Sequence, residues 1–268
     1  MTPIPILLYH SVSPDPPAWI RRHCVAPDVF GRHTELIRES GMTALSVAEY
    51  AGMLHDGGSL PERPVLITFD DGLADFAEHA LPALRRAALP ATLFVTTGFV
   101  EGLPEGRGVT RPPGPWLDAA ALLELHAQGV EIGAHTHSHP HLDTLPVAAA
   151  RVEIARSKEI LETVLGAPVP SFAYPYGYHG PVARRLAQAC GFASACAVKN
   201  ALSSRSDDRF ALARLTVRAD TPLARVGEWL QGRGAPLAPP RELVRTRAWR
   251  AYRRARAAVA PRRGVGWT

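Results

Sequence analysis

The stretch Val65-Leu66-Ile67-Thr68-Phe69-Asp70-Asp71-Gly72 decides how the chain is read. Its nearly continuous apolar run lacks the alternation of a half-solvated strand and suits a parallel strand covered on both faces. Two carboxylates and a turn-forming glycine end it. Adjacent acids where a buried strand meets a turn are costly unless something positive sits between or beside them. Side chains alternate along a strand, but the chain turns at Gly72, so both acids can reach one pocket. The plainer alternative is a turn in which Asp71 bonds backbone amides and Asp70 caps the next helix.

Working outward, six further apolar runs read as strands, at 4–9, 91–97, 130–134, 171–174, 192–198 and 213–217. Segments with helical spacing lie between them, among them 74–88, which Pro82 kinks or ends, 118–128 and 143–165. In the last, Val147, Ile154, Ile160, Leu161 and Leu165 are expected to line a buried stripe. Strand alternating with helix implies a parallel α/β fold. Seven such units, with polar residues just after the strands, favour an incomplete barrel over an open sheet. Either architecture places its site at the carboxyl ends of the strands. The Gly/Pro-rich insertion 101–116 either borders a substrate groove or forms a mobile surface loop.

The 268 residues suit one barrel or two small domains, and 46% hydrophobic with 21% charged residues is ordinary for a globular protein. Cys24, Cys190 and Cys196 give neither a disulfide framework nor a paired metal motif, which suits a reducing compartment. The opening residues lack a basic leader and a long apolar core, and no stretch approaches the length of a membrane span, so a cytoplasmic location is expected. The pI of 9.4 is misleading taken globally. Residues 241–263 hold nine arginines and one glutamate, a net of +8; against a total of +5 the remainder carries −3. The chain therefore divides into a barrel over 1–235 and a basic tail over 236–268. Residues 241–259 form an amphipathic helix with Val244, Ala248, Tyr252, Ala255 and Val259 on one face and Arg247, Arg250 and Arg254 elsewhere. Such a helix can rest on an anionic membrane surface; phosphate contacts with a nucleotide or nucleic acid compete with that reading, and a simply solvated tail is the plain alternative. Nucleic acid is not the expected partner.

The strongest chemical signal is Gly133-Ala134-His135-Thr136-His137-Ser138-His139-Pro140-His141, four histidines in seven residues at a strand end. Neutral imidazole suits zinc and related ions. His135 and His139 share one spacing with His137 and His141, and arithmetic alone does not choose between the pairs. Two histidines and one aspartate leave coordination positions open, as catalysis requires. Ser171-Phe172-Ala173-Tyr174-Pro175-Tyr176-Gly177 forms a sharp turn that either presents a backbone N–H to an oxyanion or packs aromatics on the rim. Tyr9-His10 ends the first strand on the face expected to carry Asp70 and His135, which makes His10 a candidate general acid.

Together, Thr68-Phe69-Asp70-Asp71-Gly72, His135-Thr136-His137-Ser138-His139 and Phe172-Ala173-Tyr174-Pro175-Tyr176-Gly177 resemble, in order and extent, the motifs of the NodB-homology polysaccharide deacetylases, carbohydrate esterase family 4. The resemblance covers about residues 4–230 and leaves the tail unexplained. It implies a distorted, incomplete (β/α)7 barrel. It also implies Asp71, His135 and His139 as ligands of one divalent ion, zinc foremost and cobalt, nickel or iron as alternatives. Asp70 becomes the general base, Tyr176 the backbone oxyanion donor, and the substrate an acetylated amino sugar losing its N-acetyl group. Two departures stand out. Ala173 occupies the place of an arginine that tunes the base, and the late Leu-x-His that supplies the acid is absent. A branch of the family with an early Tyr-His uses an N-terminal histidine as acid, a place His10 fills. Arg214, or alternatively Arg218, replaces the missing arginine. The competing functions are deformylation or other amide hydrolysis, and glycan binding without catalysis.

Overall fold

The structure, a computed structural model, describes residues 2–55, 57–239 and 244–259. In chain order the elements are β1 (Ile6–Tyr9), β2 (Ser11–Val12), β3 (Cys24–Val25), α1 (Pro27–Glu39), β4 (Thr43–Leu45) and α2 (Val47–His55). There follow β5 (Pro64–Phe69), α3 (Leu81–Arg86), β6 (Thr92–Val95), α4 (Ala119–Ala127), β7 (Glu131–Ala134), α5 (Val147–Leu165) and β8 (Ser171–Ala173). The chain continues with α6 (Pro181–Ala189), β9 (Ser194–Cys196), β10 (Leu215–Thr216), α7 (Leu223–Leu230) and α8 (Val244–Val259).

Seven strands run in the order β10-β1-β5-β6-β7-β8-β9, every pairing parallel, with β4 added beside the first half of β5. All six residues of β5 are buried, as a strand covered on both faces requires. The sheet curls until its ends meet at an irregular seam, where Leu212 accepts from Ala197 N–H at 2.8 Å and donates to Ala195 O at 3.0 Å. This is the incomplete seven-stranded barrel that the strand count implies.

The observed strands are shorter than the apolar runs, because the runs continue into buried turns at the carboxyl ends. β2, β3 and β4 have two or three residues each and carry no periodicity to detect. Pro82 does not end its helix: it sits in the first turn of α3, directly after a π-helical turn over Phe76–Ala80 that absorbs the missing amide. The stripe of α5 needs one correction. Ile154, Ile160, Leu161 and Leu165 are buried, but Val147 is 57% exposed, because it opens the helix before that face reaches the sheet, and Ala150 and Ser157 complete the stripe.

Within the segment after 235, Ala238 N–H donates to Leu202 O at 2.8 Å. Residues 240–243 and 260–268 of the expected tail lie outside the described residues. α8 docks through arginines rather than through its apolar face. Arg253 reaches Asp143 Oδ1 at 2.8 Å, Arg254 Nε donates to Asp143 O at 2.8 Å, and the Arg253 guanidinium lies 3.5 Å from the centre of the Tyr178 ring. Ala248, Trp249, Tyr252 and Ala255 stay exposed, with the Trp249 and Tyr252 rings stacked at 5.4 Å.

Packing between the barrel strands leaves no room at Gly133, where a methyl group would stand 2.5 Å from the Phe94 ring. Gly133→Ala is therefore expected to lower stability by about 1–3 kcal/mol. Gly31, inside α1 with nothing within 4 Å of its missing side chain, should show the opposite sign. Gly31→Ala should raise stability by roughly 0.5–1 kcal/mol. Chemical denaturation of the two variants checks both.

Candidate active site

Asp70 and Asp71 leave the end of β5, and their environments separate them. Asp70 is tied to β1 by its N–H, which donates to Tyr9 O at 3.0 Å. Its carboxylate receives a bidentate pair from Arg214, Nη1 to Oδ1 at 2.6 Å and Nη2 to Oδ2 at 2.7 Å. Arg214 is completely buried and is itself held by Ala197 O at 3.1 Å and Thr68 Oγ1 at 3.3 Å. Burial alone would raise the Asp70 pKa, but the charge and hydrogen bonds of Arg214, aided by His135 and His10, outweigh it and hold the group at about 2. Asp71 has no such partner among the described residues. Burial, then the charge of Asp70, push it up to about 8, with Arg214 opposing.

His135 follows β7. Its Nδ1 lies 2.8 Å from Ala173 O, so that nitrogen carries the proton and Nε2 presents its lone pair to the acids. Nε2 is 3.6 Å from Asp71 Oδ1. His139 Nε2 approaches the same oxygen at 3.3 Å. One donor atom each from Asp71, His135 and His139 lies within 4.8 Å of the others, and all three residues are buried. Burial lowers the pKa of both histidines, keeping them in the neutral form that a metal requires. Two neutral imidazoles converge on a carboxylate whose ionisation burial and the Asp70 charge disfavour. These residues fit a divalent ion.

The spacing ambiguity among the histidines is resolved by position. His137 bonds Thr97 Oγ1 at 3.0 Å, and His141 packs on the Tyr176 ring at 4.1 Å between centroids, so neither joins the cluster. Glu153 of α5 holds the loop between them, accepting from His137 N–H at 3.0 Å, Ser138 N–H at 2.8 Å and Ser138 Oγ at 2.6 Å. Nothing in the sequence marks Glu153, since an acid on a helix is ordinarily solvated.

Non-glycine residues with positive φ gather here. Asp71 (80°), Thr136 (67°), His139 (58°) and Tyr176 (57°) all lie in the loops that carry the site. Left-handed backbone costs a non-glycine residue on the order of 1 kcal/mol or more and persists where surrounding structure over-determines it. At Tyr176 the kink frees an amide: Gly177 and Tyr178 donate to Tyr174 O and Pro175 O, whereas Tyr176 N–H has no such partner among the described residues. Gly177, at φ 69°, is needed because a side chain would strike Val198 at 2.4 Å.

His10, Asp70, Asp71, His135, His139 and Tyr176 line one cleft. His10 keeps an edge open to it, with Nδ1 buried and unpartnered among the described residues. Burial lowers its pKa to about 3 against the opposing charge of Asp70, so the resting imidazole is neutral. One wall is aromatic, with Trp19 and Trp116 stacked at 6.0 Å and Phe99 4.7 Å from Trp116. Trp116 and Pro112 belong to the insertion 101–116, which thus borders the cleft rather than standing off as a loose loop. Trp19 comes from the irregular stretch between β2 and the turn Arg21–His23, which carries no periodic signal. Of the two candidate arginines, Arg214 contacts Asp70 and Arg218 lines the cleft.

Comparison with known proteins bears on this arrangement. A family model described as polysaccharide deacetylase matches residues 57–195. The Bacillus subtilis protein YxkH, whose name places it among polysaccharide deacetylases, is 26% identical over 214 residues, covering 80% of this chain and 71% of its own. Among solved structures, the Streptococcus pyogenes deacetylase PplD matches with a TM-score of 0.73 at 24% identity, over 84% of this chain and 97% of that one. IcaB from Ammonifex degensii matches with a TM-score of 0.72 at 24% identity, over 85% and 97%. At such identity the two structures speak for the fold.

Replacing Arg214 should uncover how much it controls Asp70. In Arg214→Met the carboxylate keeps its burial and loses its counter-charge, so its pKa rises. If Asp70 must be ionised for activity, the acidic limb of the kcat/KM profile moves up by about one pH unit or more. A pH–rate comparison of the two proteins reads this directly.

Proposed function

Because the chain belongs to the polysaccharide deacetylase family, we propose that it hydrolyses the N-acetyl group of a GlcNAc-type glycan or glycan intermediate, using a divalent ion held by Asp71, His135 and His139. Zinc is the ion proposed, since two imidazoles and one carboxylate with open positions suit it. The observation that carries the reading is the split between the paired acids: one is kept ionised by a buried arginine while the other faces two neutral imidazoles.

A bound divalent ion supplies polarisation of the amide carbonyl and a lowered pKa for water. The chain's own residues do the rest. Asp70, ionised throughout the neutral range, accepts a proton from the attacking water. The Tyr176 N–H, which has no backbone partner among the described residues, donates to the oxyanion of the tetrahedral stage. His10 delivers a proton to the departing nitrogen, because an amide anion is too poor a leaving group. Its resting neutrality means that it relays the proton that Asp70 has taken from the water, which returns Asp70 to its ionised form as the amine leaves. The aromatic wall of Trp19, Phe99 and Trp116 suits the apolar faces of a sugar ring.

The outward face of α8 supports a location for this chemistry. Trp249 and Tyr252 are 51% and 53% exposed, and Arg247 and Arg256 are exposed on the same helix. Aromatic rings with flanking arginines suit the interface of an anionic membrane, and the proposed contact would hold the cleft near a membrane-associated substrate.

Acetate release from chitooligosaccharides should stop on chelation and return with zinc; release unaffected by a chelator would remove the metal from the account. Asp70→Asn should lose at least about 100-fold in kcat with metal content near one per chain. Retained activity would strip Asp70 of the base role. For the tail, full-length protein should co-sediment with vesicles containing anionic lipid several-fold better than residues 1–240. Equal binding would discard the membrane contact.

A further inference from the structure

Arg218 is the arginine that the geometry around Asp70 leaves over. It follows β10 and lines the cleft, partly buried, with Nε shielded from solvent and unpartnered among the described residues. No carboxylate among the described residues lies within ion-pair distance of its guanidinium, whereas Arg184, Arg214, Arg225 and Arg253 all have one.

Its backbone is held in place. Arg218 N–H donates to Thr221 Oγ1 at 2.8 Å, and the next amide, Ala219 N–H, donates to Arg22 O at 3.1 Å. That second bond ties the segment to the turn Arg21–His23, whose last residue also lines the cleft. The His23 ring lies 4.9 Å from that of His10, and its buried Nδ1 has no partner among the described residues. His23 and Arg218 line the same cleft, and burial first, then the charge of Arg218, lower the His23 pKa. The rim thus holds an unpaired arginine and an unsatisfied histidine next to the proposed general acid. Of the arginines, Arg218 lines this cleft, on a protein body that carries a net of −3 outside the basic tail. A partly desolvated guanidinium with five donors and no acid calls for an oxyanion to complete it.

We propose that Arg218 and His23 form a subsite for an anionic oxygen group, phosphoryl or carboxylate, carried by the amino-sugar substrate. The inference rests on the deacetylase reading and narrows its substrate class to acidic N-acetylated sugars, in preference to neutral chains. The ring packs on the aromatic wall, the acetamido group reaches Asp70 and His10, and the anionic substituent meets the rim.

The test compares kcat/KM for acetate release by the zinc-loaded full-length enzyme on three substrates. They are N-acetylglucosamine 1-phosphate, a disaccharide of N-acetylglucosamine and glucuronic acid, and the neutral methyl glycoside of N-acetylglucosamine. At least one acidic substrate should be preferred over the neutral one by about 10- to 100-fold, the worth of one charge-assisted hydrogen-bonded pair. The preferred substrate separates phosphoryl from carboxylate. That ratio should collapse to within a few-fold in Arg218→Gln, mainly through KM, and recover in part in Arg218→Lys. A wild-type ratio near one, or a preference that survives Arg218→Gln, overturns the subsite while leaving deacetylation intact. Should none of the three release acetate, the deacetylase reading fails, and calorimetric titration of the two acidic sugars still decides the subsite. Weaker binding to Arg218→Gln supports it, and equal affinity overturns it.

Discussion

Two carboxylates on consecutive residues, 3% and 7% exposed, are the constraint on which this structure depends. In a setting so poor in water both ionise only if each has a cation, because desolvation and mutual repulsion act together. Arg214 answers for Asp70, and it is the bulkiest fully buried side chain described. It reaches Asp70 from the last strand region and crosses the seam where the barrel closes through its bond to Ala197 O beyond β9, so one side chain joins the seam to Asp70. Removing one member of a buried pair leaves an uncompensated charge, and such losses commonly cost about 3–5 kcal/mol. Barrel closure and base chemistry are thereby one arrangement. Asp71 has no arginine or lysine partner among the described residues, and His135 Nε2 and His139 Nε2 face it instead.

The strained backbone follows from the same demand. A strand end directs successive side chains to opposite faces, yet Asp70 and Asp71 must open on one cleft. The φ of 80° at Asp71 makes the required turn, and left-handed residues at Thr136, His139 and Tyr176 bring histidines and a free amide to the same place. Supporting bonds hold these loops: Glu153 under His137 and Ser138, Thr136 Oγ1 accepting from His139 N–H at 3.1 Å, and Ala173 O on His135. The loss of arginine at position 173 is intelligible here, since only the backbone carbonyl of Ala173 is used, and the guanidinium arrives from elsewhere.

Much of this was legible before the structure. Continuous apolar runs marked all seven barrel strands, because strands covered on both faces write burial directly into composition, and the motifs at their ends located Asp70, Asp71, His135, His139 and Tyr176. What was not legible depends on contacts between distant segments. Spacing could not separate His135 and His139 from His137 and His141, because Thr97 and the Tyr176 ring divert the second pair. Nor could it choose Arg214 over Arg218, since the choice turns on the register of an irregular seam. β2, β3 and β4 are too short to show a period, Trp19 is one aromatic in an irregular stretch, and α8 uses for docking the arginines that composition assigns to solvent.

The central claim is that Asp71, His135 and His139 hold one divalent ion, and calorimetric titration of zinc into metal-stripped protein tests it most directly. A single saturating site per chain is expected, lost in both Asp71→Ala and His139→Ala but retained in His137→Ala. Absence of saturable binding in the wild type, or binding that persists unchanged without Asp71 and His139, would contradict it.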